Sequence, residues 1–261
     1  MKIRDLTPED KALYCMCLED WSKEMEEAGD HKCLWYEKMK DKGLRVKLAE
    51  DDNGTVGAMI QYVPIEHSFA QGENAYIVLC IWVHGYKEGR GDFRHKGMGK
   101  ALIQAAEEDV KSLGANGLAA WGMTIPVFMR AAWFKKQGYK VVDKIGPQAL
   151  LWKPFKENAP LPTLVRQKKK PTGENGAVTL HAFKNGWCPG SNITYERAKR
   201  AAAEFGDKVK FIEYDTTDRD TFLEWGIMDD LFVDSKKITT GPPLTYDRIH
   251  SMIEKKVKKL K

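Results

Sequence analysis

The chain has 261 residues, of which 43% are hydrophobic and 30% are charged, as in ordinary globular proteins of one large or two small domains. Its net charge of +5 is spread along the sequence, and it has no zinc-finger, helix-turn-helix or RNA-binding aromatic pattern, so nucleic acid is not an expected partner. No apolar run has the length of a membrane span. The N-terminus has no signal-peptide apolar region, and five cysteines without a regular framework are typical of a reducing cytoplasm, which is the expected location.

Residues 1–154 alternate between strand and helix patterns that predict a mixed α/β (α+β) domain. In chain order the predicted segments are strand 1–6, helices 7–20 and 22–42, strands 44–50, 55–64 and 75–83, a helix to about 113, strand 118–123, helix 126–137, and strands 140–143 and 148–153. Thr7 and Pro8 mark the first helix start, and the turn 51–54 predicts a hairpin. Segment 75–83 is the most apolar strand and is expected at the centre of the sheet.

A linker is predicted over residues 155–175, which are rich in proline and lysine. A second strand and helix series follows over residues 176–261 and is long enough for a small domain. Its predicted segments are strand 177–183, a turn at 187–191, helix 194–205, strand 209–215, helix 218–225, strand 231–234 and helix 245–260.

The stretch from Arg94 to Ala101 (Arg-His-Lys-Gly-Met-Gly-Lys-Ala) joins the most apolar strand to the following helix. Gly97 and Gly99 permit a tight turn that presents backbone N–H groups, and the helix start adds the positive end of its dipole. The combination predicts a site for an anion, most naturally a phosphate.

The glycine motif and a second block together resemble the GNAT N-acetyltransferase superfamily. The family signature [Gln/Arg]-x-x-Gly-x-[Gly/Ala] is similar to Arg94-x-x-Gly97-x-Gly99, and its Ala-x-Tyr-x-x-x-Gly-Phe block is similar to 132–139. The resemblance implies a mixed sheet flanked by helices, with acetyl-CoA as cosubstrate in a gap between the strands at 75–83 and 118–123. The residues then expected at acetyl-CoA are Trp82, Val83, Phe93, Arg94, His95, Lys96, Gly97, Met98, Gly99, Lys100 and Phe134.

The acid and base of the reaction are left open by the sequence. Direct transfer needs a group that accepts the amine proton and one that protonates the leaving thiolate. The tyrosine that usually protonates the thiolate in this family is Phe134 here, so the thiolate leaves without it, another group serves, or activity is weak. Base candidates are Glu66, His67, Glu73 and His84, of which Glu66 and His84 are preferred.

Several other residues of the first domain admit two interpretations. The aromatic residues Trp35, Tyr36, Trp82, Trp121 and Phe128 line an acceptor pocket or belong to the core. The loop 84–93, with three glycines, is a substrate lid or a plain surface loop. Cys15, Cys17, His31 and Cys33 have the composition of a metal site, but two cysteines two positions apart do not share a helix face, so no metal is expected.

The second domain resembles the thioredoxin-like fold at Trp187-Cys188-Pro189-Gly190-Ser191, where Ser191 replaces the second cysteine of Trp-Cys-x-x-Cys. Cys188 at a helix start is expected to be partly thiolate. The proline that thioredoxins carry before the third strand is missing from 227–231, and a single thiol cannot complete a two-thiol cycle. With the Gly-Pro-Pro stretch at 241–243, the domain pairing resembles that of YoaP-type acetyltransferases.

The primary hypothesis is an acetyl-CoA-dependent N-acetyltransferase that acts on a small-molecule or peptide amine by direct transfer, with His84, Glu66 and Cys188 as the catalytic candidates. The alternative is a CoA-binding thiol sensor or scaffold that uses Cys188. In a third interpretation Cys188 captures the substrate for the first domain. No membrane or nucleic acid is expected as a partner, and a homodimer is one option for assembly.

Overall fold

A computed structural model describes residues 1–126, 128–238 and 242–260. The chain divides into two compact units, one of Met1–Trp21 with Glu37–Val165 and one of Ser22–Tyr36 with Arg166–Lys261. The expected division was 1–154, a linker at 155–175, and 176–261. In the structure the division falls inside the expected linker, and an early segment, 22–36, is part of the second unit.

The elements up to residue 165 follow the predicted order, with two additional short strands and with the second predicted helix, 22–42, divided into two helices. They are β1 (Lys2–Asp5), α1 (Lys11–Cys15), α2 (Lys23–Glu26), α3 (His31–Met39), β2 (Arg45–Glu50), β3 (Val56–Pro64), β4 (Ala70–Gln71), β5 (Tyr76–Val83), α4 (Met98–Ser112), β6 (Gly117–Met123), α5 (Ala131–Lys136), β7 (Lys140–Ile145), β8 (Gln148–Pro154) and β9 (Thr163–Leu164). Single 3₁₀ turns cover 8–10, 40–42 and 65–67.

The first unit is built on a seven-stranded sheet in the order β1-β2-β3-β5-β6-β8-β7. Neighbouring strands are antiparallel except β5 and β6, which are parallel. The long helix α4 packs Leu102, Ile103, Ala106 and Val110 into the core against the sheet. The mixed α/β sheet with flanking helices is therefore confirmed, and the apolar strand predicted to be central occupies the middle of the sheet.

Three predicted helices are shorter than expected because the backbone turns out of the helical region. The first was expected to reach residue 20, but α1 ends at Cys15 and is followed by Cys17 and Leu18 at φ 51° and 65°. The second was expected over 22–42, but Gly29 at φ 61° lies between α2 and α3. The helix expected over 126–137 comprises only α5, since Met129 at φ 50° precedes it.

The second unit contains a four-stranded sheet in the order β11-β10-β12-β13. Its elements are β10 (Val178–Lys184), α6 (Pro189–Ala203), β11 (Val209–Asp215), α7 (Arg219–Trp225), β12 (Asp230–Val233), β13 (Lys236–Lys237) and α8 (Tyr246–Val257). β10 is parallel to β11 and antiparallel to β12, and β12 is antiparallel to β13. The core packs residues such as Ala198 of α6 and Ile249 of α8 against the strands.

Segment 22–36 is attached to α6 of the second unit by charged groups. The buried Arg197 donates to Glu27 Oε1 at 2.8 Å and to Glu24 Oε1 at 2.9 Å, and it also reaches the carbonyl of Leu244 at 3.0 Å. His31 Nε2 lies 2.6 Å from Glu196 Oε1. These pairs explain why an early part of the sequence belongs to the later unit.

The predicted linker is partly structured, because β9 within it pairs with β4 in antiparallel register. Gly241 of the Gly-Pro-Pro stretch, Val127 of the predicted helix 126–137, and Lys261 of the basic C-terminus lie outside the described residues. In the parts of the chain that are described, no helix combines the length and the hydropathy of a membrane span.

Candidate active site

The loop before α4 is anchored by Phe93. Its ring is 4% exposed and packs against Gly57 of β3 so closely that a side chain at Gly57 would overlap it. The Phe93 N–H donates to the carbonyl of His84 at 2.9 Å, and the Lys96 ammonium lies 4.7 Å from the ring centroid. The loop is thus held to the sheet at its first residue.

Backbone N–H groups are concentrated at the start of α4. Gly97 caps the helix in the left-handed region at φ 82°, and His95 also has a positive φ of 63°. The first helical hydrogen bond runs from Ala101 N–H to Gly97 O at 3.1 Å, so the amides of the preceding turn have no helical acceptor. A Cβ added at Gly97 would meet nothing within 4 Å. The site is open, rich in donors and at the positive end of a helix dipole.

Arg94 is not directed at this open space. Its guanidinium pairs with Asp92, with 2.6 Å between Nη2 and Oδ2, and the Arg94 amide donates to Asp92 Oδ1 at 2.9 Å. Hydrogen bonding to Arg94 holds the pKa of Asp92 far below its usual range. Because Asp92 neutralises this arginine, the positive side chains left at the loop are those of Lys96 and Lys100, both exposed.

A gap between β5 and β6 leads away from the same loop. The two strands pair only from Tyr76 with Leu118 to Val78 with Ala120, and their later residues do not pair with each other. β5 has a bulge at that point, since Gln61 faces Cys80 while Tyr62 faces Val78. The Trp121 indole N–H donates to the Leu79 carbonyl at 2.8 Å. The parted strands that the sequence resemblance implied are therefore present.

Trp133 is a site residue that the sequence interpretation missed. A Cβ at Gly99 would lie 3.5 Å from both the Trp133 ring and the Val83 side chain. Trp133 therefore lies beside the first turn of α4, whereas the sequence comparison drew attention to the next residue, Phe134. The signal available was a second aromatic residue, Trp133, directly before Phe134 in the second motif block.

Phe134 and Tyr139 both lie inside the core. Phe134 is 1% exposed and packs edge-on against Trp133 and Tyr139, at 4.9 and 5.7 Å between ring centroids. Burial, together with the nearby Glu107 carboxylate, raises the pKa of Tyr139 well above its ordinary value. Phe134 has no proton to donate, and Tyr139 holds its proton tightly within the core.

His84 is fully buried and both of its ring nitrogens are engaged. Nε2 lies 2.9 Å from the Trp21 indole Nε1, which donates to it, and Nδ1 lies 2.7 Å from the Gly91 carbonyl. The donor Trp21 and the acceptor Gly91 together fix a neutral ring with its proton on Nδ1. His84 therefore ties the loop 84–93 to the segment after α1, and this arrangement offers no nitrogen lone pair to an amine.

The loop 84–93 is held at two further points. Arg90 pairs with Asp20, with 3.0 Å between Nη2 and Oδ2. The Trp21 ring packs against Gly89, and its centroid lies 5.5 Å from that of the Tyr86 ring. The loop is an ordered cover over the C-terminal end of β5. Trp21 was not singled out from the sequence, because nothing local marks a tryptophan that contacts a glycine 68 positions later.

Aromatic side chains gather beside the gap. Phe128 is 45% exposed, and its ring centroid lies 6.1 Å from those of both Trp82 and Trp121. The ring centroids of Phe69 and Trp121 are 6.2 Å apart. The Trp82 indole N–H is buried without a partner among the described residues. Of the aromatic residues named from the sequence, Trp82, Trp121 and Phe128 come together, whereas Trp35 and Tyr36 belong to the second unit.

The remaining base candidates lie in the segment between β3 and β5. Glu66 is exposed on the 3₁₀ turn 65–67, His67 is half-buried there, and Glu73 is exposed further on. Burial raises the pKa of Tyr76, the charge of Arg45 lowers it, and the charges of Asp109 and Glu66 raise it, so the Glu66 carboxylate lies near the start of β5. The structure does not bring Glu66 and His84 together, since they flank opposite ends of that strand.

Cys188 lies in the second unit, where it caps α6 at φ −112° and ψ 113°. Cys17, Cys80 and Cys188 are reduced thiols, whereas neither Cys15 nor Cys33 carries a thiol. Within the described residues, no cluster of three or more His, Cys, Asp or Glu side chains has the arrangement to hold a metal ion.

Comparison with known proteins gives a family match over part of the chain. The model of the acetyltransferase (GNAT) family matches residues 10–139. No curated protein matches the chain. Among solved structures, the chain is similar to a GNAT family acetyltransferase from Brucella melitensis in complex with acetyl-CoA, at 18% identity over 61% of this chain and 90% of that one, with a TM-score of 0.42.

Two further solved structures have comparable similarity. One is the PaiA N-acetyltransferase from Thermoplasma acidophilum in complex with coenzyme A, at 20% identity over 59% of this chain and 98% of that one, with a TM-score of 0.44. The other is the GNAT family N-acetyltransferase YhbS from Escherichia coli in complex with CoA, at 13% identity over 62% and 88%, with a TM-score of 0.44. By the family match and its mixed sheet, the segment 10–139 belongs to the acetyltransferase (GNAT) family.

Proposed function

We propose that the first unit is an acetyl-CoA-dependent N-acetyltransferase that transfers acetyl directly to an amine. The observation that carries this proposal is the parting of β5 and β6 after Val78 and Ala120, next to the open helix start at Gly97. An anion site and a strand edge with unpaired peptide groups are what a ligand with both a pyrophosphate and amide bonds requires. The family match and the acetyl-CoA and CoA complexes among similar structures support the same cosubstrate.

The residues present fit acetyl-CoA. The amides from His95 to Lys100 would bind its pyrophosphate, and Lys96 and Lys100 supply positive charge. The free edge of β5 up to Val83 would receive its amide-bearing arm, beside Trp133 and Gly99. Acetyl-CoA supplies an activated acetyl thioester, while the protein supplies orientation and a route for the amine proton.

Glu66 is the base that we propose to test first. Its carboxylate is exposed and bears no hydrogen bond to another described side chain, whereas the ring nitrogens of His84 are both engaged. Glu66→Gln should lower kcat at least tenfold and leave KM for acetyl-CoA unchanged. Glu108→Gln, the same change at an exposed position of α4, is the control. Equal kcat values for the two variants would remove Glu66 from the mechanism.

We further propose that the acceptor amine carries a flat apolar or aromatic group. The aromatic residues Trp82, Trp121 and Phe128 surround the gap, and planar rings favour flat apolar partners and cations at their faces. Tryptamine should therefore be acetylated with a higher kcat/KM than ethylenediamine. Phe128→Ala should narrow this difference by roughly tenfold, in line with the loss of one aromatic contact.

Turnover is the direct test of the proposed activity. The protein is incubated with acetyl-CoA and a panel of amines, and acetylated amine is measured by mass spectrometry for the wild type and for Cys188→Ser. Product with both proteins supports direct transfer in the first unit. Loss of turnover in the variant alone would assign substrate capture to Cys188. Absence of product from both proteins, together with a mixed disulfide at Cys188 when CoA disulfide is added, would favour a thiol sensor.

A second candidate function concerns the second unit, which we propose to be thioredoxin-like and of the YoaP type. The strand order β11-β10-β12-β13, with a parallel first pair and a reduced cysteine directly before α6, supports this proposal. Ser191 instead of a second cysteine limits such a unit to mixed disulfides. Binding of CoA to Cys188 as a disulfide, measured by intact mass, would be the expected signature, and its absence in the presence of CoA disulfide would reject the sensor.

A further inference from the structure

Gln61 of β3 is a fully buried amide with one unused hydrogen-bond donor. The Tyr14 hydroxyl of α1 donates to its Oε1 at 2.7 Å. This bond fixes the orientation of the amide, since the oxygen faces Tyr14 and the nitrogen faces away from it. Gln61 Nε2 has no partner among the described residues. A buried donor without an acceptor is unfavourable, so an oxygen atom of a ligand placed there would be bound with a gain in free energy.

A second open donor, the Trp82 indole N–H, lies on the same face of the sheet. Across β3 and β5, Gln61 faces Cys80. Two positions away, Met59 faces Trp82, so Gln61 and Trp82 are diagonal neighbours. The α4 side of the sheet is the opposite face, because Ile60, directly before Gln61, belongs to the core beneath α4. Trp82 Nε1 is also buried without a partner in the described part of the chain.

These two donors border the gap between β5 and β6. Trp82 follows Val78, the last residue of β5 that pairs with β6. The ring centroid of Phe128 lies 6.1 Å from those of Trp82 and Trp121, and Phe128 is the exposed member of the three. An acceptor that enters beside Phe128 would therefore meet the aromatic rings first and the two N–H groups at its inner end.

The strands around the two donors carry no charge. The residues of β3, β5 and β6, all of which the structure describes, include no Asp, Glu, Lys, Arg or His. A buried carboxylate or phosphate would find no cation on these strands to offset the loss of its hydration, whereas a neutral carbonyl oxygen needs only N–H donors. One carbonyl oxygen has two lone pairs and can accept from both Gln61 and Trp82.

We propose that Gln61 and Trp82 form a subsite for a neutral carbonyl oxygen of the acceptor. The acceptor is then an aromatic α-amino amide, in which the ring lies against Trp82, Trp121 and Phe128, the carbonyl accepts from the two N–H groups, and the amine stays at the gap. The acetylation of such a compound rests on the acetyl transfer proposed above. The subsite itself is a matter of binding and is testable without turnover.

The first test compares L-tryptophan amide with tryptamine, which differ only in the carboxamide group. Gln61→Met and Trp82→Phe each remove one N–H group and should lower the ratio of kcat/KM for the amide to that for tryptamine roughly fivefold or more. Comparing this ratio between proteins cancels the different basicities of the two amines. Trp152→Phe is the matched control and should leave the ratio unchanged. Trp152 also has a buried indole N–H without a partner among the described residues, but it packs against Gly117 at the start of β6.

The second test measures binding of the acetylated products by calorimetry in the presence of CoA. N-acetyl-L-tryptophan amide should bind roughly fivefold more tightly than N-acetyltryptamine, and Gln61→Met should remove this advantage. N-acetyl-L-tryptophan, whose carboxylate replaces the amide, should bind roughly tenfold more weakly than the amide. Tighter binding of the carboxylate than of the amide would overturn the neutral character of the subsite.

The two tests separate the subsite from the reaction. If no amine is acetylated but the order of product affinities holds, acetyl transfer is wrong and the subsite stands. If amines are acetylated with the same ratio in the wild type, Gln61→Met and Trp82→Phe, the subsite is overturned and acetyl transfer stands. Should Gln61→Met fail to fold because Tyr14 loses its acceptor, Trp82→Phe decides alone, in both tests.

Discussion

Gly97→Ala provides the sharpest test of the anion site, because the chain contains a matched glycine. Gly97 and Gly54 have φ values of 82° and 78°, and in both cases nothing lies within 4 Å of an added Cβ. Each alanine should therefore cost a similar amount of stability, about 1–2 kcal/mol for a side chain in the left-handed region. The two positions differ in that only Gly97 caps α4 beside the open donor groups.

A methyl group at Gly97 would stand where the proposed pyrophosphate approaches the amides. Losing one hydrogen bond to a charged group costs about 1.5–3 kcal/mol, which corresponds to roughly a 10- to 150-fold weaker affinity for acetyl-CoA. Isothermal titration calorimetry on the wild type and both variants measures this, and thermal melts compare their stabilities. The reasoning is refuted if Gly97→Ala and Gly54→Ala bind acetyl-CoA equally well.

Two further predictions concern stability. Trp21→Phe leaves the buried His84 Nε2 without its donor and should lower the free energy of unfolding by about 1–3 kcal/mol. Trp82→Phe removes an indole N–H that has no partner among the described residues and should lower the free energy of unfolding less. Urea titration measures both. Two arginines of α6 lower the pKa of Glu27 from 4.5 to about 2, so its stabilisation is complete above pH 5 and is lost as the pH falls towards 2. Glu27→Gln should therefore reduce the loss of unfolding free energy of the second unit between pH 5 and pH 2 by about 1 kcal/mol. Glu24→Gln, at a carboxylate that is 56% exposed, should reduce this loss less. The opposite order would contradict this explanation.

The elements that the sequence predicted well are those with strong local patterns. Alternation and a turn signal placed the hairpin of β2 and β3, and an unbroken apolar run placed β5 in the middle of the sheet. Two glycines at a strand-to-helix joint identified the start of α4, because that geometry needs a positive φ and bare amides. These features depend on neighbours in sequence, so a single chain reveals them.

The helix ends were predicted less well, because Cys17, Leu18 and Met129 adopt left-handed backbone conformations although none of them is a glycine. The assignment of segment 22–36 to the second unit depends on pairs between distant residues, such as Glu27 with Arg197. Local composition carries no signal for such contacts.

By itself, the sequence determined a glycine-containing loop at a helix start on a mixed sheet, a cysteine at a second helix start, and the absence of a tyrosine at Phe134. Only the tertiary structure decided what the side chains around these features do. In the structure both ring nitrogens of His84 are hydrogen-bonded, to Trp21 and to Gly91. Trp133 lies beside Gly99, and Asp229 lies at the turn of Cys188. The physical reason is that burial and hydrogen-bond partners decide whether a titratable group can exchange a proton, and both are set by residues far away in the chain.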